Sequence, residues 1–305
     1  MSPKVETITQ PAILGEGPHW DATNQCLYFV DIYGKSINKY VPATKKHTKA
    51  VIGGDIVTLI IPVEGQKDKF LISIGKQLVV VTWDGESDKV SKIEPLVTVE
   101  SEGALNDGKC DATGRLWAGT LGGPNVNGKI EGKKGSLFTL INKQINTHLT
   151  GIGISNGLTW SLDNKTFYYI DSATGYLEQY DCDITNGTIS NGKTILTLSK
   201  HGIPGHLDGM TIDTDGNLWI AIFNASRVIK VDPRKQDTIV QTIDIPALEV
   251  TSVAFGGPNL DELYVTSAAL PVDGQPLTGP SHGATFKVTG LGVKGCAGVN
   301  VKLLL

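Results

Sequence analysis

Three things are scarce in this sequence of 305 residues: cysteine, long apolar runs and an excess of charge of one sign. No stretch reaches the ~20 consecutive apolar residues that a membrane helix requires, so no membrane partner is expected. Lys and Arg number 27 against 31 Asp and Glu, which gives a net charge of −4, and no long basic run occurs that could follow a nucleic-acid backbone. These absences favour a protein that acts on small molecules.

The four cysteines lie far apart in the sequence, at Cys26, Cys110, Cys182 and Cys296. None of their spacings matches a zinc knuckle or a Cys-x-x-Cys redox motif. The first 13 residues lack the basic and then apolar pattern of a signal peptide, so we expect a cytoplasmic protein with free thiols, mostly packed as small apolar side chains. The sequence ends in three leucines and not in the Ser-Lys-Leu peroxisomal signal. A peroxisomal association stays possible, but no C-terminal signal supports it.

What the sequence does contain is glycine and an internal repeat. The 36 glycines lie well above the average of about 7% of residues, as in a chain with many turns. A polar turn followed by a short apolar strand occurs six times, and we call these strands the repeat markers. They occupy residues 27–31, 70–74, 116–120, 167–171, 218–222 and 263–267. Their second residues are 43, 46, 51, 51 and 45 positions apart.

This period is typical of a β-propeller with about four strands in each blade. Six units predict an all-β protein, a six-bladed β-propeller formed by residues 1–305 as a single domain. Helix content is expected to be very low, because no apolar pattern of helical period and length occurs. Residues 5–9 are predicted to form a strand that pairs into the last blade and closes the ring. A β-sandwich is the alternative for short strands, but six aligned copies disfavour it.

Polar residues recur at one position ahead of four markers. Glu16, Asn106, Asn156 and Asp208 lie 11 or 12 residues before the second residue of their marker, and glycine follows each within two residues. A single Asn-Gly or Asp-Gly pair is an ordinary turn, but repetition at a fixed offset favours a site. Because each blade delivers one loop to the mouth of the central channel, these side chains are predicted to converge there.

Glu16, Asn156 and Asp208 supply two carboxylates and one amide oxygen, which are ligands that hard cations prefer. We therefore predict one bound divalent cation, Ca²⁺ or Mg²⁺ first, with Mn²⁺ and Zn²⁺ left open, although zinc usually recruits His or Cys. Asp208 is also the candidate general base towards a bound water. His206 and His19 lie near Asp208 and Glu16, so either could line the pocket, and His206 is taken as a candidate substrate contact.

Several motifs are similar to those of the regucalcin/gluconolactonase/luciferin-regenerating enzyme family, and within it they look most like the insect luciferin-regenerating members. The motifs occupy residues 15–20, 106–111, 114–120, 155–158 and 207–210. The resemblance covers nearly the whole chain and implies a six-bladed propeller with one divalent cation at the channel mouth. It also implies Glu16, Asn156 and Asp208 as ligands and Asp208 as the base. Asn106 would contact the substrate or a water on the cation.

Two departures from the family bear on the substrate. Sugar lactonases of the family commonly place an arginine where this chain has Ala104, and residues 122–128 lack the acidic residues that regucalcin has there. Loss of a bidentate arginine disfavours a sugar lactone and favours a flatter, more apolar substrate at a pocket that includes the Ala104 position.

The resemblance implies a metal-dependent, hydrolase-like enzyme that takes part in bioluminescence. Its expected reaction converts oxyluciferin to 2-cyano-6-hydroxybenzothiazole and thioglycolate. Two alternatives are hydrolysis of another lactone or ester at the same site, and a non-catalytic propeller that binds a divalent metal. We expect a monomer whose partner is a small-molecule substrate.

Overall fold

The computed structural model describes residues 2–122 and 133–303, which form six four-stranded antiparallel sheets arranged as the blades of a propeller. The innermost strands are β2 (Gly15–Asp21), β6 (Ile60–Pro62), β10 (Leu105–Cys110), β14 (Ser155–Trp160), β18 (His206–Ile212) and β22 (Glu249–Gly256). The second strands are β3 (Cys26–Asp31), β7 (Lys69–Ile74), β11 (Leu116–Thr120), β15 (Thr166–Asp171), β19 (Leu218–Phe223) and β23 (Glu262–Ala268). The prediction of an all-β, six-bladed propeller is confirmed.

The third strands are β4 (Ser36–Val41), β8 (Gln77–Thr82), β12 (Gly135–Ile141), β16 (Tyr176–Asp183), β20 (Arg227–Val231) and β24 (Phe286–Thr289). The outermost strands are β5 (Lys46–Val51), β9 (Lys92–Thr98), β13 (Gln144–Ile152), β17 (Thr188–Thr197), β21 (Ile239–Asp244) and β1 (Lys4–Thr7). Strand β1 pairs with β24 of the last blade, as predicted, so the two ends of the propeller share one sheet and the ring is closed.

The six repeat markers coincide with the second strands because these strands are buried on both faces. In β3, for example, Leu27 and Phe29 pack with Tyr264 of the sixth blade. Tyr28 and Val30 of the same strand point to the other side and pack in the cluster shared with the second blade. Alternate residues of a strand face opposite sides, so a strand that packs against a neighbouring blade on each face is apolar at most positions. This requirement produces the repeat.

Within the described part of the chain, the helical content is one 3₁₀ turn at Leu198–His201. No helix there is long and apolar enough to cross a membrane. All four cysteines are free thiols. Cys26 and Cys110 are buried, Cys182 is partly buried and Cys296 is exposed.

The two ends of the central channel differ. At the end where the innermost strands finish, the segment that leads to the C-terminus runs across the blades, and Val301 forms a parallel bridge with Val63. Nearby, Asn300 Oδ1 lies 3.3 Å from His19 Nε2. The end where the innermost strands begin is the one that carries the candidate site, and we call it the mouth.

Candidate metal centre at the channel mouth

In five of the six blades the pairing between the innermost and the second strand is irregular near the mouth, where the innermost strand begins. The pairing shifts between Glu16 and His19, between Leu105 and Gly108, between Ser155 and Leu158, between Leu207 and Met210, and between Val250 and Ser252. A bulge leaves residues out of the ladder and turns their side chains to a new direction. Asn106, Asn156 and Asp208 all lie inside these interruptions, whereas β6, which pairs without a shift, contributes none of the predicted polar residues.

The glycines that follow the polar residues allow neighbouring innermost strands to approach closely. A Cβ atom at Gly157 would lie 2.5 Å from the carbonyl oxygen of Asp208. One at Gly209 would lie 2.0 Å from Ser252 Oγ. Any side chain at these two positions would push the blades apart at the mouth. The fixed offset between a polar residue and a glycine therefore marks both the bulge and the close approach of the strands.

The mouth holds a cavity of about 480 Å³ to which all six blades contribute. The predicted residues Glu16, Asn106, Asn156, Asp208 and His206 all line it. The apolar part of the wall includes Ile32, Tyr33, Ile56, Leu121, Ile154 and Phe223. Among the residues that the structure describes, no Lys or Arg lines this cavity. The set predicted from the sequence is thus brought together in one place, inside a largely apolar wall.

Three other candidates from the sequence lie elsewhere or outside the described residues. His19 lies at the opposite end of the channel, where burial lowers the pKa of its imidazole to about 4. Ala104 is not among the lining residues, and its carbonyl oxygen accepts a hydrogen bond from the N–H of Leu121. Of the variable stretch 122–128, residues 123–128 lie outside the described residues.

The mouth concentrates negative charge that is shielded from water. Glu16 and Asp208 are only 8% and 7% exposed. Burial, and then the nearby charge of Asp107, raise the pKa of Glu16 to about 8. Burial, and then the charges of Glu16 and Asp107, raise the pKa of Asp208 well above its usual range. Positive charge placed near these carboxyls would favour their ionised forms.

Asp107 belongs to this charge cluster. It lies ten residues before the second residue of its marker, but no role was predicted for it from the sequence. It stands in the same Asn-Asp-Gly motif as Asn106, which was the available signal. Burial raises the pKa of its carboxyl, and the charge of Lys109 opposes that effect. Lys109 Nζ donates a hydrogen bond to the carbonyl oxygen of Met210 at 2.6 Å. Among the carboxyls of the cluster, the Lys109 ammonium interacts with that of Asp107.

These donors fit a hard divalent cation. The available ligand atoms are carboxylate and amide oxygens, which Ca²⁺ and Mg²⁺ prefer, and a cation would compensate the buried negative charge. Among the described residues no three side chains of the His, Cys, Asp and Glu types are grouped as a metal site. The predicted set has two carboxylates, and its third member is the Asn156 amide. His206 is the sole His or Cys among the described lining residues, so the donor chemistry disfavours Zn²⁺.

The fold and the site define this chain as a six-bladed β-propeller with a largely apolar cavity at one end of its channel, in which buried carboxyl and amide groups converge. The sequence signature of the SMP-30/Gluconolactonase/LRE-like region matches residues 14–269, and the chain belongs to this family.

Relatives of this family are similar over nearly their whole length. The solved structure of a luciferin-regenerating enzyme is 44% identical, covers 99% of this chain and 100% of its own, and superposes with a TM-score of 0.92. Regucalcin of Xenopus laevis is 37% identical over 298 residues, 96% of this chain and 97% of its own. A calcium-binding regucalcin of Agrobacterium tumefaciens, 23% identical with a TM-score of 0.83 over 97% of both chains, supports the fold.

Proposed function

We propose that this protein is a cation-dependent hydrolase that opens the thiazolone ring of oxyluciferin. The products would be 2-cyano-6-hydroxybenzothiazole and thioglycolate, from which luciferin can be regenerated. The observation that carries the proposal is the combination, in one cavity, of buried oxygen ligands with apolar and aromatic walls. The similarity to a luciferin-regenerating enzyme at 44% identity supports the same substrate class.

The walls of the cavity favour a flat, apolar substrate over a sugar lactone. Tyr33 is 51% exposed at the mouth, and Phe223 lines the same cavity from the fifth blade. Aromatic side chains offer flat surfaces on which a planar ring system can stack. Position 104 holds alanine, and no Lys or Arg is among the described lining residues, so the described part of the wall offers no bidentate partner for sugar hydroxyls. The proposed ligands and walls belong to a single chain, so the proposal requires only a monomer.

The reaction consumes one water and requires no oxidant. Asp208 accepts a proton from the water that attacks the thiazolone carbonyl carbon and returns it to the ring nitrogen as the bond between that carbon and the nitrogen breaks, which leaves a carboxylic acid and a thioimidate. The bond between sulfur and the ring carbon next to the benzothiazole then breaks, the nitrogen loses its proton, and nitrile and thioglycolate leave. A divalent cation, when bound to Glu16, Asn156 and Asp208, would supply Lewis-acid stabilisation of the developing oxyanion and would keep these carboxylates ionised.

Asn106 is placed to orient the reacting groups. Its Nδ2 donates hydrogen bonds to the carbonyl oxygen of Ser155 at 2.7 Å and to Asn156 Oδ1 at 3.2 Å. Since the amide nitrogen is engaged with the fourth blade, its Oδ1 is left for a water or the substrate. In this proposal His206 contributes a polar edge to the substrate pocket and takes no part in metal binding.

A second candidate is a cation-binding propeller without turnover. It is favoured by the 37% identity to Xenopus laevis regucalcin over almost the whole chain, since the regucalcin of Agrobacterium tumefaciens is a calcium-binding protein. Both candidates use the same buried oxygen ligands, so the distinction depends on chemistry at the apolar wall.

Mass spectrometry of oxyluciferin incubated with the protein separates these candidates. With Ca²⁺ or Mg²⁺ present we expect 2-cyano-6-hydroxybenzothiazole to accumulate, and excess chelator should stop its formation because the buried carboxylates lose their counter-charge. A panel of simple lactones is incubated under the same conditions, so that their turnover can be compared with that of oxyluciferin. Product from a sugar lactone but not from oxyluciferin would contradict the proposed substrate. Cation binding without turnover of any compound would favour the second candidate.

A further inference from the structure

We propose that Ser172 is the positioning residue that turns the oxygen of the Asn156 amide towards the cation site. This inference rests on the proposed function, since it concerns how the chain holds the same cation. Ser172 directly follows β15 in the fourth blade, is only 4% exposed, and lines the mouth cavity beside Asn156. Neither the repeat nor the family resemblance pointed to it.

The hydrogen bonds of Ser172 fix which end of the Asn156 amide faces it. Ser172 Oγ lies 2.6 Å from the carbonyl oxygen of Leu207. A carbonyl oxygen only accepts, so the single hydroxyl proton of Ser172 is donated to Leu207. The second neighbour of Ser172 Oγ, the side-chain amide of Asn156 at 2.8 Å, must therefore be a donor. It follows that the NH₂ group of Asn156 faces Ser172.

A second, independent contact specifies the same orientation from the other side. Asn106 Nδ2 donates to Asn156 Oδ1 at 3.2 Å and to the carbonyl oxygen of Ser155 at 2.7 Å. The Asn156 oxygen thus lies on the side of Asn106, another lining residue. An amide oxygen has two lone pairs, so this one long hydrogen bond leaves acceptor capacity for a cation.

Without the hydroxyl at position 172, the amide loses one of the two contacts that distinguish its ends, and the longer hydrogen bond from Asn106 is left to hold the oxygen. Rotation by about 180°, which presents NH₂ to the cation site where it cannot act as a ligand, then becomes easier. Groups that orient ligands in this way typically change metal affinity by about 10- to 100-fold. Ser172 also joins the Asn156 amide to the backbone of β18, the strand that carries Asp208, so one hydroxyl links two of the three proposed ligands.

The test is calorimetric titration of Ca²⁺ into the whole protein, with a melting curve recorded for each variant in chelator. We expect Ser172→Ala to weaken Ca²⁺ binding by about 10- to 100-fold, and Ser172→Thr, which keeps a hydroxyl, to restore most of the affinity. Ser267→Ala is the matched control. It also removes a buried hydroxyl that donates to a carbonyl, that of Ala284 at 2.6 Å, but touches no member of the amide network.

The outcomes separate this inference from the proposed function. If the wild type and Ser172→Ala bind Ca²⁺ equally well, the positioning role of Ser172 is overturned and the proposed function is not. Wild-type protein that binds neither Ca²⁺ nor Mg²⁺ would overturn the proposed function, and this inference with it. An equal loss of affinity in Ser267→Ala would show a general packing effect and would also overturn the inference. If Ser172→Ala does not fold, Ser172→Cys is measured in its place. A thiol is a weaker donor and acceptor than a hydroxyl, so this variant should bind Ca²⁺ more weakly than the wild type, by less than the about 10- to 100-fold expected for alanine.

Discussion

Replacement of Asp208 by asparagine is expected to lower the turnover of oxyluciferin by about 10³-fold or more. Loss of a positioned general base alone costs roughly 10²- to 10⁴-fold in rate. The same substitution removes one of two proposed carboxylate ligands, so residual activity should also require much higher cation concentrations. Steady-state rates measured across a cation titration would separate the two contributions, because added cation can restore occupancy but not the base.

The control for this variant is Asp215→Asn in the same blade. Asp215 is exposed in the turn between β18 and β19, at the end of the channel opposite the mouth. It should keep wild-type rates and cation dependence. Wild-type turnover by Asp208→Asn at saturating cation would remove Asp208 from the mechanism.

Replacement of Glu16 by glutamine is expected to stabilise the cation-free protein while it abolishes cation binding. Burial and the charge of Asp107 raise the pKa of Glu16 from 4.5 to about 8, so its ionised form is disfavoured in the folded state. With a raised folded-state pKa, the stability associated with this group is complete below pH 4.5 and is lost as the pH rises towards 8. The loss is at most about 1.4 kcal/mol for each pH unit, and glutamine avoids it.

Melting temperatures recorded in chelator should therefore show a gain for Glu16→Gln that is near zero at about pH 4.5 and amounts to several degrees at about pH 8. With saturating Ca²⁺ the order should reverse, because binding stabilises the wild type and not the variant. Glu100→Gln, which changes an exposed glutamate, should show neither effect. A variant less stable than wild type in chelator at about pH 8 would mean that Glu16 is not electrostatically strained in the cation-free protein.

The fold could be predicted from the sequence because one physical requirement is repeated six times. Each second strand lies between two blades and must be apolar on both faces, as Leu27 and Tyr28 illustrate from opposite sides of β3. The convergence of Glu16, Asn156 and Asp208 could also be predicted, because a bulge followed by glycine leaves a constant offset in the sequence.

Other features of the site depend on which end of the channel a residue occupies, and sequence distance alone does not reveal this. His19 is only three residues beyond Glu16, but along a strand this is roughly 10 Å, enough to carry it away from the mouth. His206 precedes Asp208 and therefore stays in the cavity.

Ser172 left a signal of a different kind. The residue directly after a repeat marker lines the mouth in four blades, where the others are Ile32, Leu121 and Phe223. Ser172 is the polar member of that set. Its importance depends on hydrogen bonds to a neighbouring strand and to the β18 backbone, which the spacing of residues in the sequence does not encode.

If the mouth of this propeller is a single divalent-cation site built from Glu16, Asn156 and Asp208, its occupancy can be counted by equilibrium dialysis against Ca²⁺ and metal analysis of the protein. We expect one ion per chain for the wild type and for Asp215→Asn, and no bound ion for Glu16→Gln or Asp208→Asn at the same free Ca²⁺ concentration. Equal Ca²⁺ content in the wild type and both mouth variants would mean that these side chains do not hold the ion.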